Sequence, residues 1–494
     1  MVSANKAAHS IAWTIATGLG SRIVGLVGTL VLTRYLAPSD VGEVSAAHVI
    51  VYSTMGFLTF GVGVYLIAKP DSGRDVAFHA TVLHIGMGII GAAVAYAARY
   101  KLAPAVDAPG LIRYVPGMAL ALLVARIYYV PERILVRQMK FRRLGLARGA
   151  GEISLTLVAV SSARAGAGGY ALVLGNLANA TVTLLLMVSA VSWREWLEPH
   201  KLRLSTFWLL IRYGTWSSLS ALADTAARRW DNLVVSRLYG AGVMGTYNMA
   251  YNLADVPSIQ VGEQVTDVLL SSLANMEQRR RVGALTRASG LLGLIIFPLA
   301  IGLGAVASTL TRAFLAPGWW MVGAMLALLS GLAVVRPLTG AVLSYLQVCL
   351  RLRAVMVIEW ATVIFIVGAL LTIGRISPYW ACAAIGIAFT ARLVVSLEVL
   401  RRYEHVPVTP ILLRQIGPLA ATVPLVVATW AVHRAFVSLG LSQLHGMRAS
   451  GELVLQVAAG GLAYVGAAFV FARKMSLELI DLARNLIRGR ERHE

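Results

Sequence analysis

Between Trp216 and Gly245 an otherwise apolar stretch carries Asp224, Arg228, Arg229 and Asp231. An ionised side chain at the centre of a membrane helix costs about 2.5–3.5 kcal/mol, so such residues face a partner or a water-filled cavity and mark a site by default. Asp224 stands four residues before Arg228 and Asp231 three after, which lets all three share one helix face and neutralise one another. Arg229 projects about 100° away around the helix, where no acid of its own segment answers it. Arg22, Arg126, Arg237, Arg336 and Arg392 also fall in or at the edge of apolar segments. Guanidinium groups stay charged when partly desolvated and grip phosphate through two parallel hydrogen bonds, so Arg22, Arg126, Arg228, Arg229 and Arg336 are candidate ligands for a phosphorylated headgroup. For any one of them, neutralisation by Glu152, Asp255, Glu263, Asp267 or Glu359 on another helix is an equal alternative.

Rings and amides accompany these charges. His48 and Tyr52 share one segment, and Tyr247, Asn248, Tyr251 and Asn252 another, where positions 248, 251, 252 and 255 form a polar stripe. Such groups suit sugar faces and hydroxyls; hydrogen bonds between helices and an interfacial aromatic belt are the other reading. Asp224, Asp231, Asp255, Glu263 and Asp267 are candidates for carrying a coupling H+ or Na+. Glu263 and Asp267, one turn apart, can equally meet Arg279–Arg281.

Other chemistry finds no footing. No HExxH, CxxC or phosphate-binding loop occurs, and Gly166–Gly169 has no Lys-Ser/Thr to hold a nucleotide. His79 and His84 are five apart without a third ligand nearby, so no metal site is expected. Cys349 and Cys382 sit in apolar runs. The longest outer loop, His433–Gly451, ends at a single acid, Glu452, which argues against an enzyme with external catalytic carboxylates.

These groups need elements that cross a bilayer. Of 494 residues, 58% are hydrophobic and 14% charged, which excludes a soluble globular enzyme and leaves a polytopic membrane protein. The expected fold is all-α, with fourteen apolar segments between residues 11 and 472. The net charge of +21 suggests nucleic acid at first sight, yet Lys and Arg crowd every second loop in a roughly threefold excess. That pattern places both termini in the cytoplasm, assigns the basicity to topology and removes nucleic acid as a partner. Met1–Ser10 leads into a full-length span with no cleavable signal. Leu479, Leu482, Ala483, Leu486 and Ile487 recur at helical spacing among Arg484, Arg488, Arg490 and Arg492, with Ser476 as N-cap: an amphipathic tail for the anionic inner leaflet.

The stretch at 216–245 also has a twin. At a constant offset of 203 residues Trp13 pairs with Trp216, Leu30 with Leu233, Val31 with Val234, Arg34 with Arg237, Gly42 with Gly245 and Ala47 with Ala250. We therefore read an N-terminal lobe over 1–192, a basic aromatic linker over 193–212, a C-terminal lobe over 213–402, a terminal helix pair over 403–475 and the tail over 476–494. Inverted or repeated halves place a site at their interface, where Arg22 and Arg229 would line one cationic cleft.

The segment Arg34-Tyr-Leu-Ala-Pro-x-x-x-Gly42 resembles the Arg-x-Leu-Gly-Pro-x-x-Tyr-Gly signature of Wzx-type polysaccharide flippases, in the multidrug/oligosaccharidyl-lipid/polysaccharide exporter superfamily. Leu135–Leu144 is similar to the basic loop after span four in the exopolysaccharide and colanic-acid branch, Gly166–Gly175 to the hairpin into span six, and Asp231–Leu253 to the start of the second lobe. Ala37 and Val41 stand in place of the usual Gly and Tyr, and Ser271-Ser272 where Pro is common. The resemblance covers roughly residues 5–350. It implies two six-helix lobes plus a terminal pair in the inner membrane, moving an undecaprenyl-pyrophosphate-linked oligosaccharide outward by alternating access, without a cofactor. It also implies membrane lipids, a polymerase and a chain-length copolymerase as partners. A drug or organic-cation antiporter of the same superfamily would want an acidic cavity, against which the mid-span arginines argue; a non-transporting scaffold for a polysaccharide synthesis complex is the other alternative.

Overall fold

A computed structural model describes residues 24–57, 62–68, 73–138, 140–257, 276–440 and 447–491, together with the isolated positions 262, 269 and 273. Every described element is a helix, as a chain in lipid requires when each backbone N–H and C=O must be satisfied within its own segment. Among the described residues nine helices are long and apolar enough to cross a membrane; the pair Pro317–Leu329 and Val334–Val348, bent by 48°, makes up to ten. The chain is a multi-pass membrane protein. It divides into two compact units, Met1–Gly245 and Thr246–Glu494.

In the first unit, helix α1 through residues 24–32 gives way at Thr33, whose Oγ1 donates to the Leu30 carbonyl at 2.6 Å. Helix α2, Pro38–Phe57, restarts with proline in its first turn, where the missing N–H costs nothing. Asp40 accepts a hydrogen bond from the Ala37 N–H at 3.2 Å and fixes the corner. The equivalent corner lies in α8, Leu204–Pro257. Its 54 residues would reach roughly 80 Å as a straight rod, far beyond a hydrocarbon core of about 30 Å. The rod breaks at Gly240, with φ 81° and ψ 168°, a conformation reserved for glycine. Gly240 stands at the repeat offset from Ala37, so the two halves make the same corner by different means.

The two corners meet. A Cβ on Gly42 would run into the Ala241 backbone, and one on Gly245 into the Pro38 backbone. Residues 38 and 241, like 42 and 245, are repeat equivalents, so the contact is reciprocal and the backbones approach as closely as small residues allow.

Helices α4 (Gly73–Ala105), α5 (Leu111–Arg137), α6 (Phe141–Arg164) and α7 (Tyr170–Ala190) complete this unit, with a short α3 at Val62–Ala68. One core joins Val51 and Met55 of α2, Ala95 of α4, Met118 of α5 and Met244 of α8. The stretch after α7 is held by polar contacts: Thr81 Oγ1 donates to the Trp196 carbonyl at 3.1 Å, the Arg203 N–H to His79 Nε2 at 2.8 Å, and Gln138 Nε2 to Glu195 Oε2 at 2.8 Å. In the second unit, α9 (Gln278–Ala305), α12 (Leu332–Val348), α13 (Leu352–Thr372) and α14 (Pro378–Glu404) enclose a core around Leu346, Ile358 and Leu400. Between α9 and α12 lie α10 (Ala307–Phe314) and α11 (Met321–Leu329); α15 (Thr409–Ser438), α16 (Met447–Phe471) and α17 (Arg473–Glu491) close the chain.

Candidate functional site

On α8 the acid-flanked arginine behaves as its spacing requires. The Arg228 Nε–H is shared by both Asp224 carboxylate oxygens at 3.1 Å, with both side chains about 40% exposed. Asp231 is buried, its Oδ1 accepting from the Asn232 N–H at 2.9 Å. Arg229, one residue on, is exposed and makes no hydrogen bond or ion pair among the described residues. It lies close enough to His48 on α2 to act on it electrostatically. Trp230 Nε1 donates to Ser53 Oγ at 3.0 Å and pins this turn of α8 against α2. His48 and Tyr52, one turn apart, meet edge to face at 6.0 Å, and Tyr52 is 46% exposed.

Arg126, on α5, reaches across to α4. Its guanidinium lies 3.2 Å from Nε2 and 3.4 Å from Nδ1 of the buried His84. His84 in turn stacks on Tyr129 at 4.0 Å, and Arg133 lies over the Tyr129 ring at 4.8 Å. Glycines leave room here: a Cβ on Gly63 would strike the Tyr129 hydroxyl and one on Gly88 would crowd Arg126 Cγ. His84, Tyr129 and Arg133 extend the sequence-derived candidates. Their signal in the sequence was the i, i+3 and i+7 spacing of Arg126, Tyr129 and Arg133 on one helix face.

The second unit treats its arginines differently. Arg336 on α12 pairs with Asp255 at 2.5 Å and also donates to the Tyr251 hydroxyl; the pair's side chains are 10% and 12% exposed. Arg392 on α14 pairs with Glu359 on α13, similarly buried. Both guanidiniums lie over Phe389, at 4.3 and 5.9 Å. Tyr247 and Tyr251 are buried and tilted together at 5.8 Å, whereas Asn252 is exposed and donates to Asn248 at 3.3 Å. Two of the acids named above as possible neutralisers are thereby engaged, Asp255 by Arg336 and Glu359 by Arg392. Among the described residues no group of three His, Cys, Asp or Glu is placed to hold a metal. Arg22, Glu263 and Asp267 lie outside the described residues.

The profile of a family described as Polysaccharide biosynthesis protein matches residues 31–322, more than half of the chain and all of the α2–α8 arrangement above. The chain belongs to this family. Among curated relatives it is similar to the lipopolysaccharide biosynthesis protein WzxC of Escherichia coli K12, at 24% identity over 342 residues and 68% of each chain. The succinoglycan biosynthesis transport protein ExoT of Rhizobium meliloti is 23% identical over 337 residues, 67% of each chain. Among solved structures the fold resembles the lipid II flippase MurJ in an inward closed conformation, with a TM-score of 0.72 at 14% identity over 94% of this chain and 99% of that one. An outward-facing multidrug transporter of the MATE family follows at 0.51 and 18%, over 80% and 96%. The chain thus shares its fold with these two transporters, and its curated relatives are a lipopolysaccharide biosynthesis protein and a succinoglycan biosynthesis transport protein.

Proposed function

We propose that this protein is a flippase that carries a polyprenyl-pyrophosphate-linked oligosaccharide from the cytoplasmic to the outer leaflet of the inner membrane, by alternating access. The observation that carries the reading is the exposed Arg229 beside Arg228 on α8, a cationic step within a helix of a polysaccharide biosynthesis family member. Such a step selects an anionic ligand, and a pyrophosphate offers the oxygens that two adjacent guanidiniums can bracket. Arg22, at a neighbouring register of the repeat, would join them. His48 and Tyr52 on α2 would meet the sugars. The Asp255–Arg336 pair is the leading coupling element, because a proton or Na+ arriving at Asp255 would release Arg336. Membrane potential favours the same direction, each net negative charge moved outward gaining about 2.3 kcal/mol per 100 mV.

The deciding experiment is the lipid-linked oligosaccharide pool in cells lacking the protein, with an outer-leaflet modifying enzyme as reporter of sidedness. Accumulation of unmodified, inward-facing intermediate is the expected result. A normal outward-facing pool would remove the flippase reading and leave the scaffold.

A further inference from the structure

His79 is fully buried on α4, and both of its ring nitrogens are engaged. The Arg203 backbone N–H donates to Nε2 at 2.8 Å, while Nδ1 stands 2.8 Å from the Asp75 carbonyl oxygen and 3.2 Å from the Asp75 carboxylate. A backbone N–H can only donate, so Nε2 holds a lone pair and the ring's single proton sits on Nδ1, facing the two Asp75 oxygens. The imidazole is therefore neutral while this arrangement lasts.

Arg203 is the residue from which α8 starts. Its carbonyl accepts from the N–H groups of Thr206 and Phe207 at 3.1 and 3.3 Å, and the Phe207 ring meets His79 edge to face at 5.0 Å. His79 thus touches the first turn of α8 twice, through a backbone bond and through a ring. A second proton changes this. On Nε2 it would point at the Arg203 N–H, setting donor against donor, while the Asp75 carboxylate stays beside Nδ1 to receive the charge. The bond to α8 is lost and the one within α4 becomes charge-assisted.

Each element packed around the ring brings its own groups. Arg74 of α4 is drawn to Glu198 at 3.2 Å. In the stretch before α8, the His200 ring lies 6.0 Å from Phe78 with its Nδ1 on the Glu198 carbonyl at 2.7 Å, and Lys201 and Arg203 are exposed. Helix α5 leads to the uncharged Gln138, bonded to Glu195, and α8 presents the Phe207 ring.

We propose that His79 is a proton-sensitive latch on the start of α8: neutral, it holds the first turn against α4, and protonated, it lets that turn go. Because α8 carries Asp224, Arg228 and Arg229, the latch ties the setting of that helix to proton level. The sign follows from the acceptor role of Nε2. The hold is complete above the pH at which a free imidazole titrates, about 6.5, and is lost as the pH falls below it. The inference goes beyond the flippase reading and does not depend on it.

Hydrogen–deuterium exchange of the full-length protein in lipid nanodiscs tests the latch. Mass spectra are taken about one pH unit above and below that value and corrected for the intrinsic exchange rate. The peptide spanning residues 197–207 is expected to lose about threefold to tenfold of its protection on acidification, the fold-change of one hydrogen bond, while peptides of α6 keep theirs. His79→Gln retains an acceptor for the Arg203 N–H and takes up no proton, so its protection should be equal at both pH values. His200→Gln should respond like the wild type. Arg203→Pro removes the donor at an exposed position and carries the test if His79→Gln does not elute as a monodisperse species; it should exchange fast at both pH values. Unchanged protection of the wild-type peptide overturns the proposal, as does a pH response that persists in His79→Gln or Arg203→Pro, or one that disappears in His200→Gln. An equal loss in α6 reports acid unfolding of the whole unit and overturns it too.

Discussion

Both units carry arginine within their helices and surround it differently. In the second unit Arg336 and Arg392 each close on a carboxylate from another helix, and Arg312 reaches Glu452 at 3.2 Å beside His433. In the first unit Arg126 rests on an imidazole and Arg229 is exposed, while the Arg228–Asp224 pair is 39% and 42% exposed. A buried guanidinium closed on a carboxylate is nearly neutral as a pair and strongly costly to break. The same residue type therefore meets carboxylates of other helices in one unit and, at Arg126, an imidazole in the other.

Substitutions can break this contrast or sharpen it. The largest effect is expected at Arg229: Arg229→Ala should abolish glycan export at unchanged membrane abundance, while Arg229→Lys retains part of it, as measured by polysaccharide yield against an immunoblot. Full export by the alanine variant would dissolve the distinction between the units. Next is the buried pair. Arg336→Met should cost about 3–5 kcal/mol by stranding Asp255, and Arg336→Met with Asp255→Leu should restore much of that, both read by thermal unfolding in detergent. A double variant no more stable than the single one would show that the pair is not structural. At the reciprocal corner, Gly245→Leu should cost roughly 1–3 kcal/mol by overpacking against Pro38, whereas Gly242→Ala, with open space around its would-be Cβ, should be tolerated. Equal melting points for the two would contradict the close approach. The smallest effect belongs to Asp224→Asn, below about 1 kcal/mol because so exposed a pair is screened by solvent. A normal melt with lost transport would move Asp224 from support to coupling.

Much of this was legible before any coordinates. The helical class followed from 58% hydrophobic residues. The i, i+4 spacing of Asp224 and Arg228 gave their pair outright, because a helix brings those positions together whatever surrounds it. The corner in α8 was harder to see: Gly240 and Ala37 share no residue type, and only the repeat offset aligns them. His84 was weighed only with His79 as a metal ligand, since its partners lie on another helix.

The sequence by itself determined that the chain is a multi-pass helical membrane protein, where its arginines enter the apolar segments, and that its opening helix pair is repeated. These follow from local rules: the hydropathy of a stretch, the reach of one helical turn and a constant offset between halves. Which arginine meets a carboxylate and which an imidazole was decided only by the tertiary structure. Asp255 and Arg336 are 81 residues apart and Arg126 and His84 are 42, so helix packing rather than helical spacing chose a carboxylate for one guanidinium and an aromatic ring for the other.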